Sequence, residues 1–384
     1  MAERADVLVI GAGASGAAAA WVLARGGRRV TILEQGDWID PAAYPQHRTD
    51  WERFRQTIFN RDPNVRQLPE DYPVDVTETP IDPLMFNAVG GSTIHWTGHF
   101  PRFRPSDFRV KSLDGVADDW PLDYAELEPY YDRFDKLCGV SGKAGNLRGQ
   151  KIAGGNVFEG PRSSEYPNPP MKMTESALLF ETAAKDLGYN PFPQPISNAS
   201  RPYLNNEGLM LGACQYCGHC DKSGCEANAK AGPHVCLLPI LRNEPKFTLK
   251  PRSWVSKILF DKQAKKATGV LYTDTRTGEE FEQPANIVVL SAYVFGNVAM
   301  MLNSGIGEPY DPVTQKGAVG KNYCYQLSRM GVTMFFENAE FNPFMGSPGA
   351  AMALDDVDGD NFDHSGLGFL GGSRFACGHA DGRP

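Results

Sequence analysis

The sequence predicts an α/β fold, a Rossmann-like dinucleotide-binding domain that is discontinuous along the chain. Three observations predict it. The first thirty-odd residues read as strand, glycine turn, helix and strand; a fully apolar strand, Ile287-Val288-Val289-Leu290, lies far downstream where it can rejoin the same sheet; and the stretch between is interrupted by segments rich in Gly, Pro and Asn.

Asp6-Val7-Leu8-Val9-Ile10 reads as a buried parallel strand, Gly11-Ala12-Gly13-Ala14-Ser15-Gly16 as a phosphate-binding turn, and the alanine-rich run through Leu23 as the helix that the turn opens. Gly11 permits the sharp turn. Gly13 lets the backbone approach a pyrophosphate, and Gly16 lets the helix pack on the strand. A pyrophosphate would then rest on free amides at the positive end of the helix. Val30-Thr31-Ile32-Leu33 supplies a second strand, with Glu34 at its end to accept ribose hydroxyl hydrogen bonds. The spacing does not separate FAD from NAD, but the acid would repel a 2'-phosphate.

Composition sets the bounds. The chain has 384 residues, enough for two domains; 41% are hydrophobic and 22% charged, as in ordinary soluble globular proteins. A net charge of −8 with a pI near 5.5 argues against nucleic acid as the main partner. No apolar run is long enough for a membrane span. The first strand begins so close to Met1 that no signal peptide precedes it, and the expectation is a cytoplasmic protein.

Residues 37–82, rich in Pro, Asp, Arg and aromatics, read as an extended excursion. It ends at a second glycine turn, Val89-Gly90-Gly91-Ser92-Thr93-Ile94-His95-Trp96. Asp123 is the expected N-cap of a helix with Glu126 at the capping-box position and Leu127, Tyr130, Tyr131, Phe134 and Leu137 on one face. A helical pattern follows over 176–187. Strands are expected over 247–250, 255–260, 267–272, 279–283 and 287–290, and again over 325–337. The acidic run Asp356, Asp358, Asp360 lacks the glycine and glutamate positions of a calcium loop and reads as a solvated turn. Ser15 lacks the final glycine of a nucleophile elbow and is no hydrolase serine.

Cys214, Cys217, Cys220 and Cys225 give C-x2-C-x2-C-x4-C, with Gly212, Gly218 and Gly224 to aim the thiols inward. This is the arrangement of an iron-sulfur loop, one residue longer than the bacterial ferredoxin run. Zinc and a set of inert thiols are the competing readings, with His219 a stray ligand in either metal case. His95, just after the second glycine turn, has two readings: a nucleophilic imidazole that attaches covalently to a flavin, or a hydrogen-bonded core histidine.

Together these blocks resemble the glucose-methanol-choline oxidoreductase family of flavoproteins. The resemblance rests on the N-terminal fingerprint, Val89-Gly90-Gly91-Ser92, Trp120-Pro121 with Leu127-Glu128-Pro129-Tyr130-Tyr131, and the return strands around Val255 and Val288. It is strongest to the bacterial FAD dehydrogenases of the gluconate, fructose and glucose type. In several of these a cysteine loop ahead of Asn228-Ala229-Lys230 holds an iron-sulfur cluster. Asn342-Pro343-Phe344-Met345-Gly346 and 359–364 also look like that branch.

The resemblance implies a Rossmann-like FAD-binding domain over 1–140 and 230–322, a linker and cysteine-cluster region over 141–229, and part of a substrate domain on an antiparallel sheet over 323–384. Gly11, Gly13, Ser15, Gly16 and Glu34 would bind the ADP part of FAD; Gly90, Gly91, Ser92 and Thr93 would lie against the pyrophosphate and flavin; Val255 and Ala292 would line the adenine edge. His95 matches a histidine that carries a covalent flavin in some relatives. Cys214, Cys220 and Cys225, with Cys217 as a fourth ligand, would hold a [3Fe-4S] or [4Fe-4S] cluster.

Two departures stand out. Tyr293 follows Ser291-Ala292 where the family has small residues, so it would crowd the adenine edge. The family's catalytic histidine and its partner lie near a more distant C-terminus, so catalytic residues are not assigned, neither His364 nor His379 takes that role, and the sequence is expected to be a fragment or split subunit.

The resulting expectation is an FAD-dependent dehydrogenase that oxidises an alcohol group of a sugar, sugar acid or polyol and relays electrons through the cluster to a cytochrome c subunit or a quinone, with a small accessory subunit as a further partner. The alternatives are a non-catalytic electron-transfer subunit and a peroxide-producing oxidase with a structural cysteine loop. The alternative to a cytoplasmic location is export, folded, alongside a partner that carries the signal.

Overall fold

The computed structural model describes residues 3–44, 46, 48–79, 81, 84–220, 223–325, 331–342 and 345–378. Strand β1 (Ala5–Ile10), helix α1 (Ala14–Arg25) and strand β2 (Val30–Leu33) form the expected opening. They are joined in one sheet by β3 (Phe247–Lys250), β4 (Ser253–Asp261), β5 (Lys266–Asp274) and β6 (Glu280–Leu290), and α2 (Tyr293–Ser304) follows.

The strand order is β3-β2-β1-β6-β5-β4. The first four strands run parallel, with Val7 opposite Val30 and Ile287, and Val30 opposite Phe247. A parallel strand covered on both faces must be apolar throughout, and Leu8 and Val9 are accordingly fully buried. Residues 279–283 and 287–290 do not form separate strands. They are one strand whose first half pairs antiparallel with β5, up to Pro284 opposite Gly269, and whose second half pairs parallel with β1 from Ala285 onward. Pro284, which has no N–H to donate, sits where the partner changes. Leu8, Ile10, Leu33, Ile258, Val270 and Met300 close the core beneath this sheet.

The chain divides into two units. The first comprises the chain up to Asp40, Asp50–Ile94 and Gly232–Glu340; the second comprises Pro41–Thr49, His95–Ala231 and the chain from Phe341. The segment over 37–82, of which Pro41–Thr49 belongs to the second unit, is not only extended. It carries two short helices, Trp51–Gln56 and Pro63–Arg66, the latter capped by Asp62, whose carboxylate accepts the Asn64 N–H at 2.8 Å. Asp82 lies outside the described residues. No strand forms at Tyr325 or over 331–337, and 326–330 lie outside the described residues.

In the second unit the capping box is as expected. Asp123 accepts the Glu126 N–H at 3.0 Å and Glu126 accepts the Asp123 N–H at 2.9 Å, at the head of the helix Tyr124–Cys138. Its buried face differs from the apolar count. Leu137 is buried, but Tyr130 is 61% exposed and Asp135 takes the inner position. The reason is a charge network, since Asp135 Oδ2 accepts from Arg102 and Arg162, each at 2.7 Å. The acidic run is a turn, but only partly solvated: Asp360 is exposed and Asp356 accepts from Asn190, whereas Asp358 is buried and ion-paired with Arg104. The unit's main sheet is antiparallel, Phe375–Cys377 beside Met352–Leu354 beside Phe192–Pro193. A second helix, Glu175–Asp186, is capped by Thr174.

Candidate functional site

The first unit contains a cavity of about 490 Å³ within the range of small-molecule pockets. Gly11, Gly13, Ala14 and Ser15 form one wall, at the N-terminus of α1. Gly13 is the N-cap and has no side chain to accept a first-turn N–H, so the first-turn amides stay available to an anion. The three fingerprint glycines have three different reasons. At Gly11, with φ at +100°, a Cβ would lie 2.5 Å from the Ser291 carbonyl oxygen; at Gly16 it would overlap the Gly11 carbonyl; at Gly13 it would meet nothing within 4 Å. Gly13 thus faces open space that a ligand backbone can approach.

The second glycine turn forms the facing wall. Gly90 donates its N–H to Ala12 O at 3.1 Å, and a Cβ on Gly91 would stand 3.3 Å from Gly13 Cα. Gly91, Ser92 and Thr93 line the cavity, while Gly90 packs against the His234 ring behind it. Ser92 Oγ accepts the Phe86 N–H at 3.2 Å, and Thr93 Oγ1 bonds to Gly90 O.

Glu34 lines the cavity at the end of β2 and is buried. Its two oxygens accept main-chain hydrogen bonds, from Ala12 at 2.7 Å and Gly36 at 3.0 Å. Burial pushes its carboxyl up to about 7, against the pull of those N–H donors. Each carboxylate oxygen keeps a second lone pair, so a ribose hydroxyl still finds an acceptor. Val255 and Ala292 line the far side with Tyr72, Trp254 and Tyr293. Tyr293 has φ at +65°, a conformation that strains a bulky side chain. The residues present therefore fit a dinucleotide: a cradle at Gly13 and Gly91, free helix amides and a carboxylate acceptor.

A second cavity, about 300 Å³, lies within the other unit and is lined by Cys214, Cys217, Cys220 and Cys225 with Asn198, His219 and Gln46. Asn198 directs Nδ2 to Cys220 Sγ at 3.2 Å and towards Cys214 Sγ at 3.9 Å, and the Tyr216 N–H points to Cys214 Sγ at 3.4 Å. Burial raises the Cys214 and Cys217 thiols and pushes Cys220 up to about 12, with Lys230 pulling the other way. Among the described residues, no three His, Cys, Asp or Glu side chains converge to hold a single metal ion. The four cysteines line one cavity instead.

His95 is buried in the second unit, one residue past the turn Gly91–Ile94, and is not among the residues lining the glycine-turn cavity. Sequence reasoning missed Asn198 and the role of Lys230, which contact the cysteine loop from separate segments. His379, Pro343 and Phe344 lie outside the described residues. No helix among the described residues is long and apolar enough to cross a membrane.

Two family models match separate stretches of the chain. Residues 205–328 match the family model described as GMC oxidoreductase, and residues 6–43 match one described as FAD dependent oxidoreductase. The chain is 38% identical over its whole length to a gluconate 2-dehydrogenase flavoprotein of Pantoea cypripedii, of which it spans 66%. It is 35% identical over 86% of its length to a 2-methyl-1,2-propanediol dehydrogenase of Mycolicibacterium austroafricanum, spanning 56% of that protein. It is 28% identical over 84% of its length to a 6'''-hydroxyparomomycin C oxidase of Streptomyces lividus, spanning 54%. The chain thus spans between about half and two thirds of these relatives' lengths.

Proposed function

The chain belongs to the GMC oxidoreductase family of FAD-dependent proteins, and from that premise we propose that it is the FAD-binding and electron-relay part of a dehydrogenase acting on an alcohol group of a sugar, sugar acid or polyol. The observation that carries the reading is the pair of cavities: one built by two glycine turns and a carboxylate, the other by four thiols. When bound, FAD supplies a two-electron acceptor for an alcohol carbon and an iron-sulfur cluster supplies a one-electron relay.

The residues have distinct tasks in this reading. Gly11, Gly13 and Gly16 shape the turn, the amides at Ala14 and Ser15 face the pyrophosphate, and Glu34 accepts from the ribose. Gly91, Ser92 and Thr93 hold the cofactor from the other wall, with Gly90 bonded to Ala12 behind them. Val255 and Ala292 bound the adenine edge, and Tyr293 narrows it. In domain terms, 1–140 with 230–322 binds FAD, 141–229 carries the thiols, and 323–384 contributes to the substrate domain.

Cys214, Cys217, Cys220 and Cys225 fit a [3Fe-4S] or [4Fe-4S] cluster better than zinc. A single tetrahedral ion draws its ligands to about 2.0–2.3 Å, whereas a cluster needs its thiolates set around a larger inorganic core. Burial also disfavours free thiolates, so a compensating metal core suits the site. A cluster held there would pass electrons to a cytochrome c subunit or a quinone, and compartment and subunit partners would follow from which acceptor is used.

One specific observation supports a second reading, an oxidase: the resemblance extends to a relative named as an oxidase. The test is iron and acid-labile sulfide analysis of anaerobically purified protein with an electron paramagnetic resonance spectrum. Iron and sulfide in comparable amounts with a cluster signal support the relay. Zinc or no metal, together with peroxide formed in air by the complete enzyme, would move the assignment to the oxidase.

A further inference from the structure

Lys230 is 2% exposed, and its ammonium donates to three main-chain carbonyls: Trp96 at 2.6 Å, Cys220 at 2.7 Å and Ser223 at 2.8 Å. Three main-chain carbonyls thus surround the buried ammonium. Ala231 returns the link, its carbonyl accepting the Trp96 indole N–H at 3.0 Å. The segment after the second glycine turn and the end of the cysteine loop are thereby tied to the same two residues.

Asn198 completes the arrangement. It is fully buried, forms an antiparallel bridge with Lys230, and turns its Nδ2 to the Cys220 sulfur at 3.2 Å and the Cys214 sulfur at 3.9 Å. Cys220 therefore has a cation on its carbonyl and an amide donor on its sulfur. Tying three carbonyls takes a group with three donors, which a hydroxyl or an amide lacks, and the ammonium brings its charge with it; the N–H directed at sulfur is a contact that bracing does not require.

A buried positive charge and N–H donors to sulfur both stabilise the negative charge that reduction adds to sulfur-ligated iron. They do so strongly in an interior of low dielectric constant. We propose that Lys230 and Asn198 are positioning residues that raise the reduction potential of a cluster held by the cysteine loop. This rests on the cluster reading given above. Neither residue exchanges an electron or a proton in this role; each acts through its charge or dipole alone.

The test uses the full chain, purified anaerobically, with iron and sulfide quantified and the cluster's midpoint potential read by electron paramagnetic resonance titration. Lys230→Met is expected to keep wild-type iron and shift the midpoint to lower potential, Asn198→Ala to shift it the same way by less, and Lys230→Arg to stay near wild type. An unchanged midpoint in Lys230→Met at full iron overturns the inference and leaves the cluster standing. Should Lys230→Met lose its iron, Asn198→Ala, which leaves the ammonium in place, decides by the same reading: a lowered midpoint supports the inference and an unchanged one overturns it. Wild-type protein without iron and sulfide fails the cluster reading itself, and the inference with it.

Discussion

Glu34 Oε2 accepts the main-chain N–H of Ala12 at 2.7 Å, so the carboxylate at the end of β2 holds the floor of the glycine turn from behind. Its other oxygen holds Gly36. The same side chain is thus both a wall of the cavity and part of the scaffold that shapes it. Glutamine keeps one acceptor oxygen and loses the other. Glu34→Gln is expected to destabilise the cofactor-free protein by about 1–3 kcal/mol, the cost of leaving a buried donor unsatisfied, and to weaken FAD binding in addition. Denaturant unfolding without and with FAD separates the two effects.

The pH dependence of that variant carries a sign. The Glu34 carboxyl is raised in the fold, from 4.5 to about 7, because burial disfavours its charge. Its contribution to stability is therefore complete below about 4.5 and is lost as pH rises through about 7. The stability of wild type relative to Glu34→Gln should fall across that window. A difference that instead grows with pH would show that the ionised carboxylate is the form the fold prefers.

Gly13 and Gly16 should respond oppositely to alanine. A Cβ at Gly16 overlaps the Gly11 carbonyl, so Gly16→Ala is expected to destabilise the cofactor-free protein by about 1–3 kcal/mol. At Gly13 a Cβ meets nothing within 4 Å, so Gly13→Ala should change that stability by no more than about 0.5 kcal/mol. Its effect should show in FAD affinity, weakened on the order of tenfold or more, or about 1.4 kcal/mol. Thermal melts and flavin fluorescence titrations read the two quantities.

Asp135 Oδ2 accepts from both Arg102 and Arg162, and the Arg162 guanidinium lies 3.7 Å over the Tyr166 ring. The Asp135, Arg102 and Arg162 side chains are at most 3% exposed. Asp135→Asn removes the charge that both cations share while keeping the shape. The expected loss is about 3–5 kcal/mol, that of breaking a buried ion pair by neutralising one member. Unfolding midpoints in urea would measure it.

Tyr293 holds φ at +65° beside the glycine-turn cavity. Glycine adopts that conformation freely, so Tyr293→Gly should stabilise the cofactor-free protein by about 1 kcal/mol. If Tyr293 narrows the adenine edge, the same variant alters FAD affinity. Calorimetric titration with FAD and with adenosine diphosphate tests whether the change resides in the adenylate half.

Much of the fold was legible because its signals are local. The β1–turn–α1–β2 order, the four-residue strand Val30–Leu33, the Asp123–Glu126 capping box and the helix after Thr174 each depend on residues within a few positions of one another. The strand over 247–250 was visible from its alternation and that over 287–290 from its apolar run, but not the continuity of β6 through Pro284, which depends on two partners at once. Tyr130 illustrates the limit. Helical spacing put it on the apolar face, whereas the buried pair of arginines draws Asp135 inward and turns Tyr130 to solvent.

The sequence by itself determined the glycine fingerprint, the acid at the end of β2, the second glycine turn and the spacing of four cysteines. These are short-range patterns, and backbone geometry follows from them with few alternatives. Only the tertiary structure decided that Glu34 bonds Ala12, that Asn198 faces two of the cysteines, and that Lys230 joins Trp96 to Cys220. Each pairing crosses from one segment to another. A buried donor must find an acceptor within about 3 Å wherever packing brings one, and that placement is a property of the closed core rather than of any stretch of chain.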